Sequence, residues 1–385
     1  MAPVMIWRDG VVRARGASWG QAVGLEVEVT AVPDADRPDG AVPAGTHLNA
    51  LAYVPVVGDP QVGDRVLLSA ATLARGLGTG GWAMVVALPD RLPADPPVGP
   101  GHLVKARYTP LQTMVLGVDE QESEHHELLR DADSIDGMPV VVADLHSALP
   151  AVIAGVRSVD PGLRVAYVMT DGGALPAWFS RALTGLRQSG WLGGSVTVGQ
   201  AFGGDLECVN LHTGLLACRL VLDADVTVVA QGPGNLGTGT RWGFSGTSCG
   251  EAVNAAATLG GRPVASLRVS GADPRERHRG VSHHSLTAYG RVALAPADVV
   301  VPSFDGGDME PRLPAGFGAR VRDEAEPLGA PSGIHRLVPV STGGLDDQLR
   351  ASPVRLSTMG RGLEEDPAAF LAAAAAGRHA AQLVP

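Results

Sequence analysis

Apolar and polar residues alternate with period two near the start of the chain, most clearly in Gly24-Leu-Glu-Val-Glu-Val-Thr. That is the pattern of a strand with one buried face. Short apolar runs follow at Ala50–Val56, Arg65–Leu68 and Trp82–Leu88, broken by turn formers at Gly58-Asp-Pro and Gly63-Asp64. Several short strands with frequent turns predict a small all-β barrel or sandwich over residues 1–103. Pro89–Gly101, rich in Pro, Asp and Gly, marks its end.

From about residue 138 the pattern becomes strand, Gly-rich turn and helix, repeated. Pro139–Ala143 precedes a helix over Leu145–Val156, and Arg164–Met169 precedes one over Ala174–Gln188. Ser195–Gly199 leads to a helix over Leu206–Leu222. Asp225–Ala230 leads, after a long loop, to one over Glu251–Leu259. Pro263–Val269, a helix over Ser285–Leu294 and a strand at Val299–Pro302 extend the run. Consecutive βα units with β-branched strands predict a doubly wound, mostly parallel sheet: a Rossmann-like, three-layer α/β domain over 104–385. A strand at His335–Ser341 and an Ala-rich helix over Glu365–Leu383 close the pattern.

Composition narrows the function. With 45% hydrophobic and 18% charged residues over 385 positions, the chain is globular and long enough for two cores. A net charge of −10 argues against nucleic acid as a partner. Lys105 is the single lysine, and without a Gly-Lys pair there is no Walker-A loop. Within His102–Tyr108, Lys105 reads as a solvated charge on a linker or strand edge. Three cysteines (Cys208, Cys218 and Cys249) without a secretory signal argue against a disulfide framework, and no apolar stretch approaches 18 residues. These features predict a cytoplasmic protein with no membrane partner, compatible with a homodimer.

Ligands of open parallel sheets bind beyond the carboxyl ends of the strands, so the residues after each strand are the ones to read. They are Asp144-Leu-His146-Ser, Thr170-Asp171-Gly-Gly, Gln200–Asp205, Gln231–Arg241, Ser270–Asp273 and Ser303–Asp308. Some of this is helix capping, but the density of Gly pairs beside Asp exceeds what caps require. Gly232-Pro-Gly234-Asn-Leu-Gly237 follows a strand, and such a loop can bring backbone N–H groups close to an anion. It lacks the following helix and the later acidic residue of a dinucleotide fingerprint. Gly232, Gly234, Asn235, Thr238 and Arg241 are therefore expected to form an anion cradle. Gly246-Thr-Ser248-Cys-Gly250 spells a nucleophile elbow, but its strand ended near Ala230, so Ser248 reads as a cap of the helix beginning near Glu251.

The densest polar run is Asp273–Ser285, with three arginines beside His278, His283 and His284. The arginines, Arg279 among them, suit a phosphate or carboxylate, and His283 or His284 suits general acid–base work. Asp171 or Asp205 would orient a substrate or a metal. Asp144 and His146, with Asp171, Asp205 and the two histidines, could gather a metal only if the loops converge, because none has a recognised ligand spacing. No cofactor is legible.

Arg107-Tyr-Thr-Pro-Leu-Gln, Ala166-Tyr-Val-Met-Thr-Asp-Gly, Gly199-Gln-Ala-Phe-Gly-Gly-Asp, Gly232-Pro-Gly-Asn and His278-Arg-Gly-Val-Ser-His-His together resemble a bacterial family, domain of unknown function 3866. The resemblance runs from Ile6-Trp-Arg to Thr358-Met-Gly-Arg-Gly and implies no activity. The expectation is an enzyme of hydrolase or transferase type acting on a small anionic, possibly phosphorylated, ligand at the sheet edge. A non-catalytic nucleotide or metabolite sensor or scaffold, and a metal-dependent hydrolase, are the alternatives.

Overall fold

The structure is a computed structural model and describes residues 5–33, 42–77, 80–304 and 312–384. The Asp305–Asp308 part of the last strand exit lies outside them. The chain forms two compact units, Met1–Gly99 with Tyr108–Thr113, and Pro100–Arg107 with Met114–Pro385.

The first unit is a closed five-stranded barrel. Its strands are β1 (Trp7–Trp19), β2 (Ala22–Ala31), β3 (His47–Tyr53), β4 (Arg65–Ser69) and β5 (Ala83–Ala87), in the order β1-β2-β3-β5-β4. Closure leaves no free edge for another chain to pair with. The period-two pattern does what it predicts: Leu25, Val27 and Val29 are buried, while Glu26 faces solvent. Three register shifts along β1 let one 13-residue strand pair with both β2 and β4.

The second unit holds an eight-stranded sheet, parallel throughout. Its strands are β6 (Pro139–Val142), β7 (Val165–Thr170), β8 (Gly194–Thr197), β9 (Leu206–Glu207), β10 (Val226–Gln231), β11 (Arg262–Ser266), β12 (Asp298–Ser303) and β13 (Arg336–Ser341). The order is β9-β8-β7-β10-β6-β11-β12-β13. β6 and β10 are buried along their whole length, which explains their continuous apolar sequence. The connecting helices are α1 (Leu149–Arg157), α2 (Arg181–Gln188), α3 (Leu211–Leu220), α4 (Ser248–Thr258), α5 (His283–Thr287), α6 (Phe317–Ala325), α7 (Leu345–Arg350) and α8 (Pro367–Gln382).

Four predicted elements differ in extent. The residues assigned to the start of the helix after β8 form edge strand β9 instead, and α3 begins at Leu211, capped by Asn210. α2 begins at Arg181, where Ser180 accepts from the Leu183 amide. α4 begins at Ser248, so Ser248 is the first residue of the helix rather than its cap. A π turn at Ala288–Val292 continues α5. The alanines of α8 pack closely on α1: a Cβ on Gly155 would stand 1.8 Å from the Ala374 carbonyl oxygen, and one on Gly377 1.9 Å from that of Val152. No helix among the described residues is long and apolar enough to cross a membrane.

This strand order fixes where a ligand crevice opens. The chain steps one way along the sheet from β6 to β7 and β8, then reverses to β10, β11, β12 and β13. Right-handed crossovers then send the connection after β6 to one face and those after β10 and β11 to the other. β6 lies between β10 and β11, so the connections part at its carboxyl end.

Candidate functional site

Asp144 stands two residues beyond β6, at that parting, and is buried. Arg268, two residues beyond β11, reaches across and donates from Nη1 to Asp144 Oδ2 at 2.9 Å. Asn235, in the loop after β10, donates to Asp144 Oδ1 at 3.2 Å. His284 Nδ1 lies 2.9 Å from Asp144 Oδ2. Arg268 Nη1 also comes within 3.1 Å of that ring nitrogen. A nitrogen cannot accept from Arg268 while donating to a carboxylate, so we assign the proton to His284 Nδ1 and the bond to Asp144. Burial pushes the Asp144 carboxyl up, but the His284 bond and the Arg268 charge outweigh it and hold it below the usual carboxylate range.

The chain brings His284 to this point through backbone ties. The Ser282 amide donates to the Arg268 carbonyl at 2.8 Å, and the Arg268 amide donates to Ser285 Oγ at 2.9 Å. Ser282 Oγ accepts from the His284 amide at 3.2 Å, capping α5. A two-residue ribbon, Val269–Ser270 against Gly280–Val281, closes the turn that carries His278 back. His278 Nδ1 lies 2.8 Å from Ser282 Oγ.

The result is a cluster of three histidines, with one ring nitrogen each of His278, His283 and His284 within 4.8 Å of one another. It is the one such group of metal-ligand residues among the described residues. His284 and His278 have Nδ1 engaged by Asp144 and Ser282, which leaves Nε2 of each available. His283 Nε2 is buried with no hydrogen-bond partner. A buried, orphaned ring nitrogen beside two pre-oriented imidazoles needs a partner. Burial pushes His278 down to about 3 and His283 down to about 4, helped by neighbouring guanidinium charges. Both rings are neutral at physiological pH and present lone pairs. Three imidazoles, one backed by a carboxylate through its far nitrogen, are a donor set that fits Zn²⁺ or a similar divalent ion.

Phe244 forms one wall, stacked on His284 with ring centroids 3.7 Å apart and planes 8° from parallel, and edge-on to His283. It is carried by an arm, residues 235–245, folded on itself. The Leu236 amide donates to Ser245 Oγ, Ser245 Oγ donates to Asn235 Oδ1, and the Thr238 amide donates to the Gly243 carbonyl.

The other predicted site residues fall in different places. His146 is half-buried between Tyr167 Oη at 2.9 Å and Ser180 Oγ at 2.6 Å, both ring nitrogens occupied, and desolvation pushes it down to about 4. Asp171 accepts from the Gln200 amide at 2.9 Å, beside the turn at Gly199. Asp205 accepts from the Ser195 amide and hydroxyl and from Arg187, at the start of β8, three strands from β6. Gly232 and Gly173 serve a close backbone approach: a Cβ on Gly173 would stand 2.1 Å from the Gly232 carbonyl oxygen. The Gly232 amide donates to the Thr170 carbonyl, Gly234 is exposed just before the arm, and Thr238 and Arg241 are exposed on it. Arg279 is exposed, 3.8 Å from Glu276. The elbow-like letters have packing reasons too: a Cβ on Gly246 would stand 1.8 Å from Asp144 Oδ1, and one on Gly250 2.5 Å from the Ala288 carbonyl oxygen.

His278 as a third ligand, Arg268 and Phe244 are the site residues that the sequence reading missed. The signal that could have found the first is His-x4-His-His in a run already dense with polar groups. Lys105 requires a correction. It is fully buried, not solvated, donating to the carbonyls of Ala201 at 3.0 Å and Cys208 at 2.7 Å, with Glu207 at 3.6 Å.

The sequence profile of a family described as protein of unknown function (DUF3866) matches residues 49–377. The chain belongs to that family. No curated protein and no solved structure matches it. For this DUF3866 member the histidine cluster therefore has to be read from its own geometry.

Proposed function

We propose that this DUF3866 chain is a metal-dependent enzyme of hydrolase type, working on a small anionic substrate at the carboxyl end of β6. The observation that carries the reading is the convergence of His278, His283 and His284, with His283 Nε2 buried and unpartnered. A bound divalent ion would supply Lewis acidity toward water and toward a carbonyl or phosphoryl oxygen.

The chain's own groups have distinct parts in this reading. Asp144 accepts from His284 Nδ1, fixing its tautomer and leaving Nε2 as the atom that would hold an ion. Ser282 does the same for His278 by accepting from its Nδ1. Arg268 neutralises Asp144 and stops that carboxylate from becoming a ligand itself. Phe244 excludes water from one side of His284. Asp144 and the histidines are thus positioning and ligating groups rather than free acid–base catalysts.

The test is elemental analysis of the purified full chain after exposure to zinc, cobalt, manganese and nickel in turn, followed by removal of loose ion. About one ion per chain, lost in His283→Ala, is the expected result. Turnover of activated carboxylate and phosphate esters by the loaded protein would then establish the hydrolase part. A chain that retains none of the four ions ends the metal reading. One that retains an ion but turns over no ester points to the sensor alternative.

A further inference from the structure

Four arginines stand in or beside the histidine cluster, and three have acidic partners. Arg268 is paired with Asp144 at 2.9 Å, and Arg275 with Asp273 at 2.8 Å. Arg279 has Glu276 at 3.8 Å. Arg277 is different. It is exposed, adjoins His278 in the chain, and has no hydrogen bond or ion pair among the described residues. Its Nη2 lies 3.6 Å from where a Cβ on Gly239 would stand. The guanidinium therefore sits against the tip of the same arm that lays Phe244 over His283 and His284. Its charge is felt at the His283 ring.

Of these four, Arg268, Arg275 and Arg279 face carboxylates, and Arg277 is the guanidinium that does not. A chain with ten more acidic than basic residues has carboxylates to spare for pairing surface arginines, and Arg277 has none. A planar fork of N–H donors suits an oxyanion, which could meet a guanidinium and a bound divalent ion at once.

We infer that Arg277 is the specificity-determining residue of this site, holding the oxyanion group, phosphate or carboxylate, of the substrate. The inference rests on the metal reading and adds the substrate class to it. The guanidinium lies against Gly239, at the tip of an arm held folded by its own hydrogen bonds.

The test is calorimetric titration of the zinc-loaded full chain with inorganic phosphate and, separately, with acetate. Wild type, Arg277→Ala and Arg279→Ala are compared, and zinc content is measured on every sample. The expected result is full zinc occupancy in all three, with binding of at least one anion weakened by on the order of tenfold in Arg277→Ala. Arg279→Ala removes the same charge two residues along the chain and should change affinity by no more than about twofold. Equal affinity in Arg277→Ala and wild type, an equal loss in both variants, or no anion binding by wild type would each overturn the inference. Wild type without zinc would sink the metal reading and this inference with it, and the zinc measurement separates that outcome from the others.

Discussion

His284 donates from Nδ1 to Asp144 at 2.9 Å while its ring lies flat on Phe244, so a carboxylate and an aromatic face together hold one imidazole in place. The carboxylate is the stronger constraint, because it fixes the tautomer as well as the orientation. Asp144→Asn keeps the shape but loses the charge. Zinc affinity is expected to fall by about 10- to 100-fold, the usual effect of removing a carboxylate behind a metal-bound histidine. Competition against a chromogenic chelator measures it, and unchanged affinity would detach Asp144 from the site.

Gly246 gives the same contact a steric test. A Cβ there would stand 1.8 Å from Asp144 Oδ1, so Gly246→Ala must displace the carboxylate or the loop. Overpacking of this kind costs about 1–3 kcal/mol. Zinc binding should weaken at least as much as in Asp144→Asn. Gly237→Ala, where the nearest atom is 4.0 Å away, should stay within about 0.5 kcal/mol of wild type by urea unfolding. If both glycine variants bind zinc like wild type, the close approach at Gly246 has no bearing on the site.

How much of this was legible follows from the range of the interactions. The barrel could be read because Leu25, Val27 and Val29 alternate within one strand, and the sheet because β6, β7 and β10 are short apolar runs followed by turn residues. Asp144 was visible as the first acidic residue after β6. Its partners were not, since Arg268 and His284 lie 124 and 140 residues away. The chain returns to the cluster through the turn at Gly280, whose φ of +76° favours glycine and where the ends of Glu324 and Arg320 lie close. No helical or strand period relates His278 to His284, so spacing alone could not announce the cluster. The glycines after β10 were legible as special, but the reason was loop-to-loop backbone contact at Gly173 and Gly232. Ser248 has the chemistry of a cap, but the helix starts at Ser248 itself, three residues before the Glu251 that its sequence pattern suggests.

Acid should destabilise the metal-free protein, and His146, with His278 and His283, contributes to the loss that begins below about pH 6.5. Burial pushes its folded-state value down to about 4, against about 6.5 in an unfolded chain. Between these values the unfolded state binds more protons, so stability is full above about pH 6.5 and falls as the pH drops toward 4. The depression corresponds to at most about 3–4 kcal/mol from this residue. Asp144, held below its unfolded value, adds stability that is present above about pH 4 and lost at lower pH. Urea unfolding of chelator-treated wild type and His146→Gln at pH 7 and pH 5 tests the His146 contribution. The variant should lose less stability than wild type between the two, and an equal loss would assign the proton uptake elsewhere.

Lys105 offers a test that needs no metal. Its ammonium is fully buried among the carbonyls of Ala201 and Cys208 and the carboxylate of Glu207, and burial pushes its affinity for a proton down. Glu207 is in turn held by Thr197 Oγ1 at 2.7 Å and the Gly203 amide at 2.6 Å, so both members of the pair are fixed from behind. Removing one side leaves the other buried and uncompensated, which costs about 3–5 kcal/mol. Lys105→Met should therefore destabilise the chain by about that amount, and adding Glu207→Gln should restore a substantial part of it. Because this is the single lysine, an amine-reactive reagent should leave it unlabelled in the native chain and label it in urea, read by peptide mass spectrometry. Rapid labelling of Lys105 under native conditions would mean that its ammonium reaches solvent, and the pairing with Glu207 would lose its structural role.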